Sequence, residues 1–596
     1  MRTYFWQVFS FPFVYVLGAT PQFARGQTCS MASDLRTSTY DSTTLPDAGC
    51  TGRLAVRSDD VRGLWVDNGS LWQPVSLNTV NVLDYPSLNA ALSDIGGSTV
   101  TLLIPKPVTV AQSVNVPPNV TLLFTGTGQL FVGDGAILTV SGPIQAPQRQ
   151  IFSTAAAGTL RLADLSTSPQ STVFYTEWFG SDPSGVTESC QAIQTTLDTV
   201  PVNSIVQLSQ GSYKCAHGLT LRRTVTLRGT HRRYTQIYWT GSTDAAVIHI
   251  PADVALVRIE KLGVRLANNG TAAYGIWAEG ARAHVQEVFV EVDDQLNRYT
   301  TACIRSSDAP VSNEHVYRDV DLPYCEIGIQ ATNGTNIIVD NALISSYRIG
   351  ISIGNVPEGE SVGLISITNS LFSVPPYNWA SSAKAIEIKK GIQISIANNQ
   401  FDLEPPAGGR FVALDVDRLD VLEGASVAFT GNRVNGNGLV ASPISVNGQS
   451  AQGNVYIAGN VFGRITSYAV ERSRDGGEIV NYGPNTYYPV RGPVDPQLPV
   501  INVTSPDVGN GDVFTAADTI PPATAWCSFS NAIPGKRFSV RFSTPYSTIV
   551  FDGSCSIIGN GGVNANMAVN DVLECTTSYD SPQKFFCRVE RASHPK

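Results

Sequence analysis

Between Val316 and Phe462, apolar β-branched and aromatic residues alternate with polar ones in a short phrase that returns along the chain. The phrase occupies Ile337–Leu343, Ile365–Leu371, Ile394–Phe401, Val427–Val434 and Val455–Phe462. Such alternation predicts a short strand with one buried face. The Asn that follows each apolar run predicts a tight bend, because Asn tolerates the left-handed backbone and forms local hydrogen bonds.

The Asn of the bend recurs at a nearly constant interval. It falls at Asn341, Asn369, Asn398, Asn432 and Asn460, which are 28 to 34 residues apart, and no helix-length segment lies between them. A strand phrase that returns at this interval is typical of a solenoid of stacked coils. We therefore predict an all-β protein, a right-handed parallel β-helix with a short N-terminal capping helix and a separate C-terminal β-rich module.

The N-terminus and the turn-forming residues suggest further divisions. Arg2, an apolar run from Phe5 to Leu17 and the small residues before Gln27 predict a secretory signal peptide, and Pro12 makes the run unsuitable as a membrane span. The expected divisions are a signal peptide at 1–26, a small N-terminal β module at 27–80, irregular N-terminal β coils at 81–175, the parallel β-helix at 176–488, a Pro-rich linker at 489–499 and a β-sandwich-like module at 500–596.

Charge and cysteine content narrow the class of protein. The formal net charge is −9 and no basic cluster exceeds His231-Arg232-Arg233, so we expect no nucleic acid partner. The 10 cysteines favour an oxidising, extracellular location, and we expect no membrane partner after signal cleavage.

The spacing of the cysteines predicts disulfides, with buried free thiols as the alternative. Cys303 and Cys325 are about one coil apart and are expected to lie one above the other. The other expected groups are Cys29 with Cys50, Cys190 with Cys215, and a C-terminal set whose connectivity stays open, Cys527, Cys555, Cys575 and Cys587.

One block carries signals that are specific to a family. Glu177-Trp178-Phe179-Gly180 precedes a predicted helix with Val186, Ile193 and Leu197 on its apolar side, and Leu227-Arg228-Gly229 follows. This order resembles the opening motif of the pectate-lyase-like right-handed β-helix superfamily, which includes phage tailspike depolymerases. The usual acidic segment is replaced here by Asp182–Glu188.

The resemblance, which spans roughly residues 81–470, implies the fold and a polysaccharide substrate more than it implies a particular chemistry. A Trp-bearing hairpin at 64–72 resembles pieces of phage tail fibres. Together with the C-terminal module, it makes a homotrimer one of the expected assemblies.

Aligning the coils on Gly328-Ile329 and Gly350-Ile351 shows where the connections are long. Short connections at 323–326 and 345–348 lie between longer ones at 293–299, 374–380 and 402–406. Two long walls around a low floor predict a groove for a chain-like ligand. The residues expected to bind substrate there are Tyr299, Tyr324, Tyr347, Arg348, Tyr377 and Trp379.

Carboxylates are the candidate catalytic groups of this groove. Adjacent coils place side chains about 4.8 Å apart, and retaining and inverting glycosidases use carboxyl separations of about 5 Å and about 6.5–9.5 Å respectively. A buried carboxyl with a raised pKa would serve as the acid. The acid and the base or nucleophile are expected among Asp293, Asp294, Asp321 and Glu326.

These features favour a secreted glycoside hydrolase that cleaves an extracellular or cell-surface glycan, with no cofactor and no metal. The second interpretation is a polysaccharide lyase of the pectate or uronate type, for which the acids could hold Ca²⁺. The third is a non-catalytic glycan-binding adhesin or a tail-fibre-like structural protein, since no sharp catalytic motif is present.

Overall fold

The computed structural model describes part of the chain. Strands are described by their backbone at Thr39–Tyr40, Leu54–Arg57, Leu64–Asp67 and Trp72–Pro74. The remaining described residues are 78–163, 173–267, 270–279, 282–292, 299, 301–307, 314–332, 334–345, 347–354, 362–374, 382–403, 410–417, 426–440, 443–446, 454–465, 470–472, 479–482, 485–488, 500–501, 513–516, 525–529, 537–542, 548–551, 555–578 and 584–592. The predicted signal peptide, Cys29, Cys50 and the predicted linker lie outside the described residues.

Three long parallel sheets confirm the right-handed parallel β-helix. Each coil contributes one strand to the first sheet, one to the second and one to the third, and successive coils pair in register. For example, Ile337 pairs with Ile365, and Ile365 with Ile394. The described strands number 12, 11 and 10 in the three sheets.

The strand bounds follow the coils in order. The first sheet contains Val173–Tyr175, Ile205–Gln207, Val225–Arg228, Val257–Glu260, Arg282–Gln286, Glu314–Arg318, Gly334–Asp340, Val362–Thr368, Gln393–Ala397, Ser426–Thr430, Asn454–Ala458 and Ile479–Tyr482. The second contains Gly211–Cys215, Thr235–Trp239, Gly263–Leu266, Phe289–Val292, Asp321–Pro323, Leu343–Ser345, Leu371–Val374, Gln400–Leu403, Arg433–Val440, Val461–Ile465 and Thr486–Tyr488. The third contains Leu219–Thr220, Ala246–Ile250, Tyr274–Ala278, Ala302–Ser306, Ile327–Ala331, Ile349–Ile353, Ser382–Ile388, Arg410–Val416, Ile444–Val446 and Val470–Arg472.

The Asn residues aligned from the sequence occupy two different, adjacent positions of the bend between the first and second sheets. Asn341, Asn369 and Asn398 have positive φ values of 53°, 54° and 58°, as the left-handed bend requires. Asn432 and Asn460 lie one position later, after Gly431 and Gly459, which carry the positive φ on their coils. The Asn at the earlier position therefore adopts the left-handed backbone of the bend, whereas the Asn at the later position does not.

The later position forms a ladder of buried amides. Asn399, Asn432 and Asn460 are at most 2% exposed. The Oδ1 of Asn432 accepts from the backbone N–H of Asn399 at 2.9 Å, and its Nδ2 donates to the carbonyl of Ile396 at 3.0 Å. Each amide pairs with backbone groups that the bend leaves without a partner, so the ladder fixes the register between successive coils at this bend.

The chain forms two compact units, residues 1–103 with 119–121, and residues 104–118 with 122–596. In the first unit, Leu64–Asp67 pairs antiparallel with Trp72–Pro74, which confirms the predicted hairpin. A helix at Leu88–Ile95 was not predicted, and Val82–Asp84 forms a 3-10 turn. The remaining strands that begin in this unit are Thr79–Asn81 and Val100–Ile104, which pair in parallel.

The second unit opens with short parallel strands, and the expected division at 81–175 stays a prediction. They are Pro107–Val110, Gln129–Val132 and Phe152–Thr154 in one sheet, Val114–Val116, Ile137–Val140 and Thr159–Leu162 in another, and Val120–Phe124 paired with Ile144–Gln145.

The predicted capping helix begins later than its apolar pattern suggested. A 3-10 turn at Thr176–Phe179 precedes it, and the α-helix itself runs over Cys190–Thr199. Ile193 and Leu197 are buried, whereas Val186 is 75% exposed. The reason is Asp182, whose carboxylate accepts hydrogen bonds from the backbone N–H groups of Ser184 and Thr187 and fixes residues 182–187 as a turn.

The C-terminal residues form a separate cluster of buried aromatic and aliphatic side chains. Its strands are Val500–Ile501, Val513–Ala516, Arg537–Phe542, Val572–Thr577, Phe585–Glu590 and Ile557–Gly559 in one sheet, and Ala525–Trp526, Thr548–Ile549 and Ala565–Asn566 in a second. A 3-10 turn covers Asn560–Gly562.

Disulfides are present, as the cysteine spacing predicted. They join Cys190 to Cys215, Cys303 to Cys325, Cys527 to Cys555, and Cys575 to Cys587. Within the described part of the chain no cysteine is free, and no helix there is long and apolar enough to cross a membrane.

Candidate functional site

The outer face of the third sheet carries a column of mostly polar side chains, one from each of eight successive coils. With the exceptions of Trp277 and of Arg305, which Ser306 follows, each is the middle residue of an apolar-polar-apolar triplet with buried flanking residues, such as Ile386-Glu387-Ile388. Strand pairing aligns the column as His249, Trp277, Arg305, Gln330, Ser352, Glu387, Asp415 and Ser445. Several members are buried although they face outward. Gln330, Ser352, Glu387, Asp415 and Ser445 are at most 6% exposed.

Two glycines of the third-sheet strands pack closely against the core. Gly328 and Gly350 lie where a Cβ would meet the Cγ2 of Ile344 at 2.9 Å and the Cδ1 of Phe372 at 3.1 Å. The residue directly before each of these glycines, and the equivalent residue on neighbouring coils, belongs to a second column, which is apolar. Its members are Ala246, Tyr274, Ala302, Ile327 and Ile349. We call the two columns together the third-sheet floor.

Two acids and a lysine form the densest cluster of charge on the floor. Glu387 and Asp415 are Cα partners on adjacent coils, so their backbones are about 4.8 Å apart. Lys384 lies between them, with its Nζ 2.5 Å from Glu387 Oε1 and 2.6 Å from Asp415 Oδ2. Lys389 approaches Glu387 at 3.5 Å, and the hydroxyl of Ser352 donates to Glu387 at 3.3 Å.

The cluster holds Glu387 in its ionised form. Burial would raise the pKa of Glu387, but the hydrogen bonds and charges of Lys384 and Lys389 outweigh it and bring the pKa below its usual value. Burial would likewise lower the pKa of Lys384, but Asp415 and Glu387 outweigh it and raise the pKa. A carboxylate with this environment can act as a base or nucleophile at neutral pH.

We expect Lys384→Met to reverse the pH dependence of stability around this cluster. In the native protein the lowered pKa of Glu387 contributes stability above its unfolded pKa, and this is lost as the pH falls. Without Lys384, the effect of burial on Glu387 dominates, so ionisation of Glu387 lowers the free energy of unfolding as the pH rises. Urea unfolding at neutral pH should show that the variant has a free energy of unfolding about 1–3 kcal/mol lower than that of the native protein. This difference should become smaller in acid. Lys106→Met, at an exposed lysine, is the control, and an equal loss at both pH values would contradict the expectation.

Farther up the same column, His249, Trp277 and Arg305 form a stack. The rings of His249 and Trp277 are 4.7 Å apart, and the guanidinium of Arg305 lies 5.0 Å from the Trp277 ring. His249 Nε2 lies 2.8 Å from Glu279, and Arg305 donates to the hydroxyl of Tyr274 at 2.7 Å. The floor therefore offers aromatic and hydrogen-bonding surface on coils that precede the carboxylate pair.

Among the residues predicted from the sequence, Glu326 and Arg348 come together. Arg348 Nε donates to Glu326 Oε1 from the next coil. Ile327 and Ile349 of the floor follow them directly, and the carbonyl of Arg348 accepts from the backbone N–H of Lys384. Glu326 and Arg348, which the sequence predicts in the low part of the groove, therefore border the third-sheet floor. Tyr324 is half-buried nearby in the chain, with a positive φ of 59°.

Two predicted sugar-binding residues require correction. Tyr299 and Tyr347 are completely buried, because their rings point into the β-helix. The ring of Tyr347 packs edge-on against Phe372. Neither ring is available to stack on a sugar at the surface. Asp293, Asp294, Tyr377 and Trp379 lie outside the described residues, and their predicted roles stay predictions.

Asp321 lies on the outer face of the second sheet, whereas Glu326 precedes a strand of the third sheet. It is 3% exposed, and burial raises its pKa despite the opposing charges of Arg233 and Arg232. Arg233, which also lies 4.4 Å above the Phe289 ring, donates to Asp321 at 2.7 Å. Asp321 meets the criterion of a buried acid, yet its Cα partners Phe289 and Leu343 place no carboxylate beside it.

A signal in the sequence could have identified the carboxylate pair. Aligning coils on Gly328-Ile329 and Gly350-Ile351 also aligns the residue after Ile, which is Gln330 and Ser352, then Glu387 and Asp415. An acid between two buried β-branched or aliphatic residues is unusual, since charged side chains are rarely buried without a partner.

The described residues offer one grouping of potential metal ligands, Glu188 with Cys190 and Cys215. Both thiols of this grouping are joined in a disulfide, so the grouping does not fit a metal ion.

Comparison with known proteins gives a likeness of fold alone. No protein-family profile and no curated protein sequence match the chain. The catalytic unit of a thermostable GH87 alpha-1,3-glucanase from Streptomyces thermodiastaticus is 14% identical over 54% of this chain and 69% of its own, with a TM-score of 0.33. The tailspike gp49 of Acinetobacter baumannii bacteriophage Fri1, a capsular polysaccharide depolymerase, is 14% identical over 55% and 65%, with a TM-score of 0.37. PfbA, a surface adhesin of Streptococcus pneumoniae, is 13% identical over 54% and 92%, with a TM-score of 0.30.

Proposed function

We propose that the chain is a secreted glycoside hydrolase that cleaves an extracellular polysaccharide on the third-sheet floor. The observation that carries the proposal is the pair Glu387 and Asp415, two buried carboxylates on adjacent coils that share one lysine. Glycoside hydrolysis requires two such groups, one to donate a proton and one to act as base or nucleophile.

The environment of Glu387 suggests its role. Glu387, whose pKa is lowered by Lys384 and Lys389, is the nucleophile that attacks the anomeric carbon. Asp415, the partner of Glu387 on the next coil, then has the remaining role, that of the proton donor to the departing oxygen. Water then attacks the glycosyl-enzyme bond, and Asp415 accepts its proton as the sugar leaves with a hydroxyl in place of the carboxylate.

We expect hydrolysis with retention of anomeric configuration. Adjacent coils separate the two acids by about 4.8 Å, which is close to the separation of about 5–5.5 Å in retaining enzymes. Proton NMR of the first product formed from a defined oligosaccharide would report its anomer before mutarotation. Inversion would mean that a water fits between the acids, and would contradict the assignment of Glu387 as nucleophile.

The shape of the floor and the disulfides support the rest of the proposal. The polar column runs without interruption from His249 to Ser445, which suits an extended chain more than a small molecule. The disulfides suit an oxidising location outside the cytosol. We expect Glu326 and Arg348, which border the floor, to contact the same substrate.

The test is incubation of the purified protein with neutral and acidic polysaccharides, following reducing ends together with the ultraviolet absorbance of unsaturated uronates. New reducing ends without absorbance support hydrolysis. Absorbance that rises in parallel would favour a lyase, for which Lys384 and Lys389 beside the acids are the observation of interest. Binding without cleavage across the panel would contradict an enzyme and favour an adhesin or fibre.

A further inference from the structure

The first sheet carries a polar cavity of about 520 Å³ on its outer side, near the start of the long sheets. Its wall includes Tyr175, Gln207 and Arg228, which occupy one outward column of the first sheet. Thr230, Lys261 and Gln210 come from the bends that follow these strands. None of these residues belongs to the third-sheet floor, so the cavity is a separate feature.

The charges of the cavity point to an anion. Arg228 and Lys261 line it and no carboxylate does, although the whole chain carries a net charge of −9. In the part of the chain that the structure describes, neither cation forms an ion pair within 4.0 Å. Glu260 is the Cα partner of Arg228 on the next coil, yet it forms no such pair with it. Two unneutralised cations in a concave wall concentrate anions from solution.

The guanidinium of Arg228 is held in a fixed orientation. Its Nε donates to the Oε1 of Gln207 at 2.8 Å, and the Nε2 of Gln207 donates to the carbonyl of Leu208 at 2.8 Å. Gln207 is only 8% exposed, so it acts as a rigid support. A guanidinium whose Nε is engaged in this way presents its terminal N–H groups, which match the two oxygens of a carboxylate.

The other groups suit a sugar better than a bare ion. Ser209, which lines the cavity, has a buried Oγ without a hydrogen-bond partner among the described residues. Its backbone N–H donates to Glu177 Oε1 at 3.1 Å, which fixes its position. The amides of Gln148 and Gln210 and the hydroxyl of Thr230 add donors and acceptors for ring hydroxyls. Tyr175 contributes an aromatic surface for an apolar sugar face.

We propose that this cavity binds an acidic sugar unit, with its carboxylate on Arg228 and Lys261 and its hydroxyls on the amide and hydroxyl side chains. The proposal does not depend on hydrolysis, because it involves no residue of the carboxylate pair. The protein would then have a glycan-binding site in addition to the third-sheet floor, and this additional site would be selective for acidic sugars.

The test is calorimetric titration of the full chain with galacturonic, glucuronic and mannuronic acid trimers, and with the methyl ester of each trimer. We expect at least one acid to bind, and its uncharged ester to bind about tenfold or more weakly. Arg228→Gln should weaken binding of the acid about tenfold, and Glu260→Gln should leave it equal or tighter. Lys106→Gln, at an exposed lysine outside the cavity, should leave it unchanged.

Several outcomes would overturn the proposal. These are equal affinity for acid and ester, binding insensitive to Arg228→Gln, failure of every trimer to bind, and affinity for inorganic sulfate equal to that for the acids. The last would identify an anion site without sugar recognition. Because Arg228→Gln keeps Glu387 and Asp415, its unchanged cleavage of a polysaccharide would separate failure at this cavity from failure of the proposed hydrolysis.

Discussion

Replacing Glu387 with Gln is expected to lower the rate of polysaccharide cleavage by about 10²–10⁴-fold, because a positioned acid–base group contributes that much to catalysis. Gln keeps the volume of Glu, its Oε1 can still accept a hydrogen bond from Lys384, and its Nε2 can donate to the hydroxyl of Ser352; both residues contact the native side chain. The fold should therefore persist. The measurement is the rate of reducing-end release, with circular dichroism and the urea midpoint recorded for the same samples.

Asp321→Asn is the matched control for this prediction. Asp321 is also a buried, outward-facing acid with a basic partner, but it lies on the second sheet and contacts Arg233. We expect this variant to keep its activity. If Asp321→Asn were inactive while Glu387→Gln remained active, the site would lie on the second sheet, as the predicted general acid there would require.

Asn432→Ala is expected to lower the free energy of unfolding by about 2–4 kcal/mol. Asn432 is 1% exposed and lies at the centre of the amide ladder. Its loss would leave the N–H of Asn399 and the carbonyl of Ile396 without their partner, and water has little access to either group. Buried backbone groups left without a hydrogen bond are costly. Equilibrium urea unfolding, followed by far-ultraviolet circular dichroism, measures the change.

Asn398→Gly is the control for the ladder. Asn398 is exposed and lies in the left-handed bend, a position that Gly431 and Gly459 occupy on the next coils. We expect this change to alter stability by only a few tenths of a kcal/mol, since glycine adopts positive φ without strain. If Asn398→Gly and Asn432→Ala lowered the free energy of unfolding equally, the conformation of the bend, and not the buried amide, would determine stability between the first and second sheets.

The sequence was sufficient for the fold because β-helix structure is specified locally. Alternation in Ile365–Leu371 sets which side chains face inward, and an Asn or Gly after it sets the bend, without reference to distant residues. The pairing of Cys303 with Cys325 followed from the same coil length. The short helix at Leu88–Ile95 escaped prediction, because Gly- and Pro-bounded strands dominate the pattern around it.

The candidate site required the tertiary structure, because it depends on which outward side chains become buried and what covers them. Burial of Asp321 depends on Arg233, which is 88 residues away in the chain. Tyr299 and Tyr347 are of a residue type that often binds sugars, but their side chains point into the core and are buried. Glu387 and Asp415 become a pair only when two coils of different length stack in register. The sequence by itself determined the strands, the bends and the stacking of coils, since these depend on neighbours in the chain. The tertiary structure alone decided the environment of each acid, because burial and charge pairing are properties of contacts between coils.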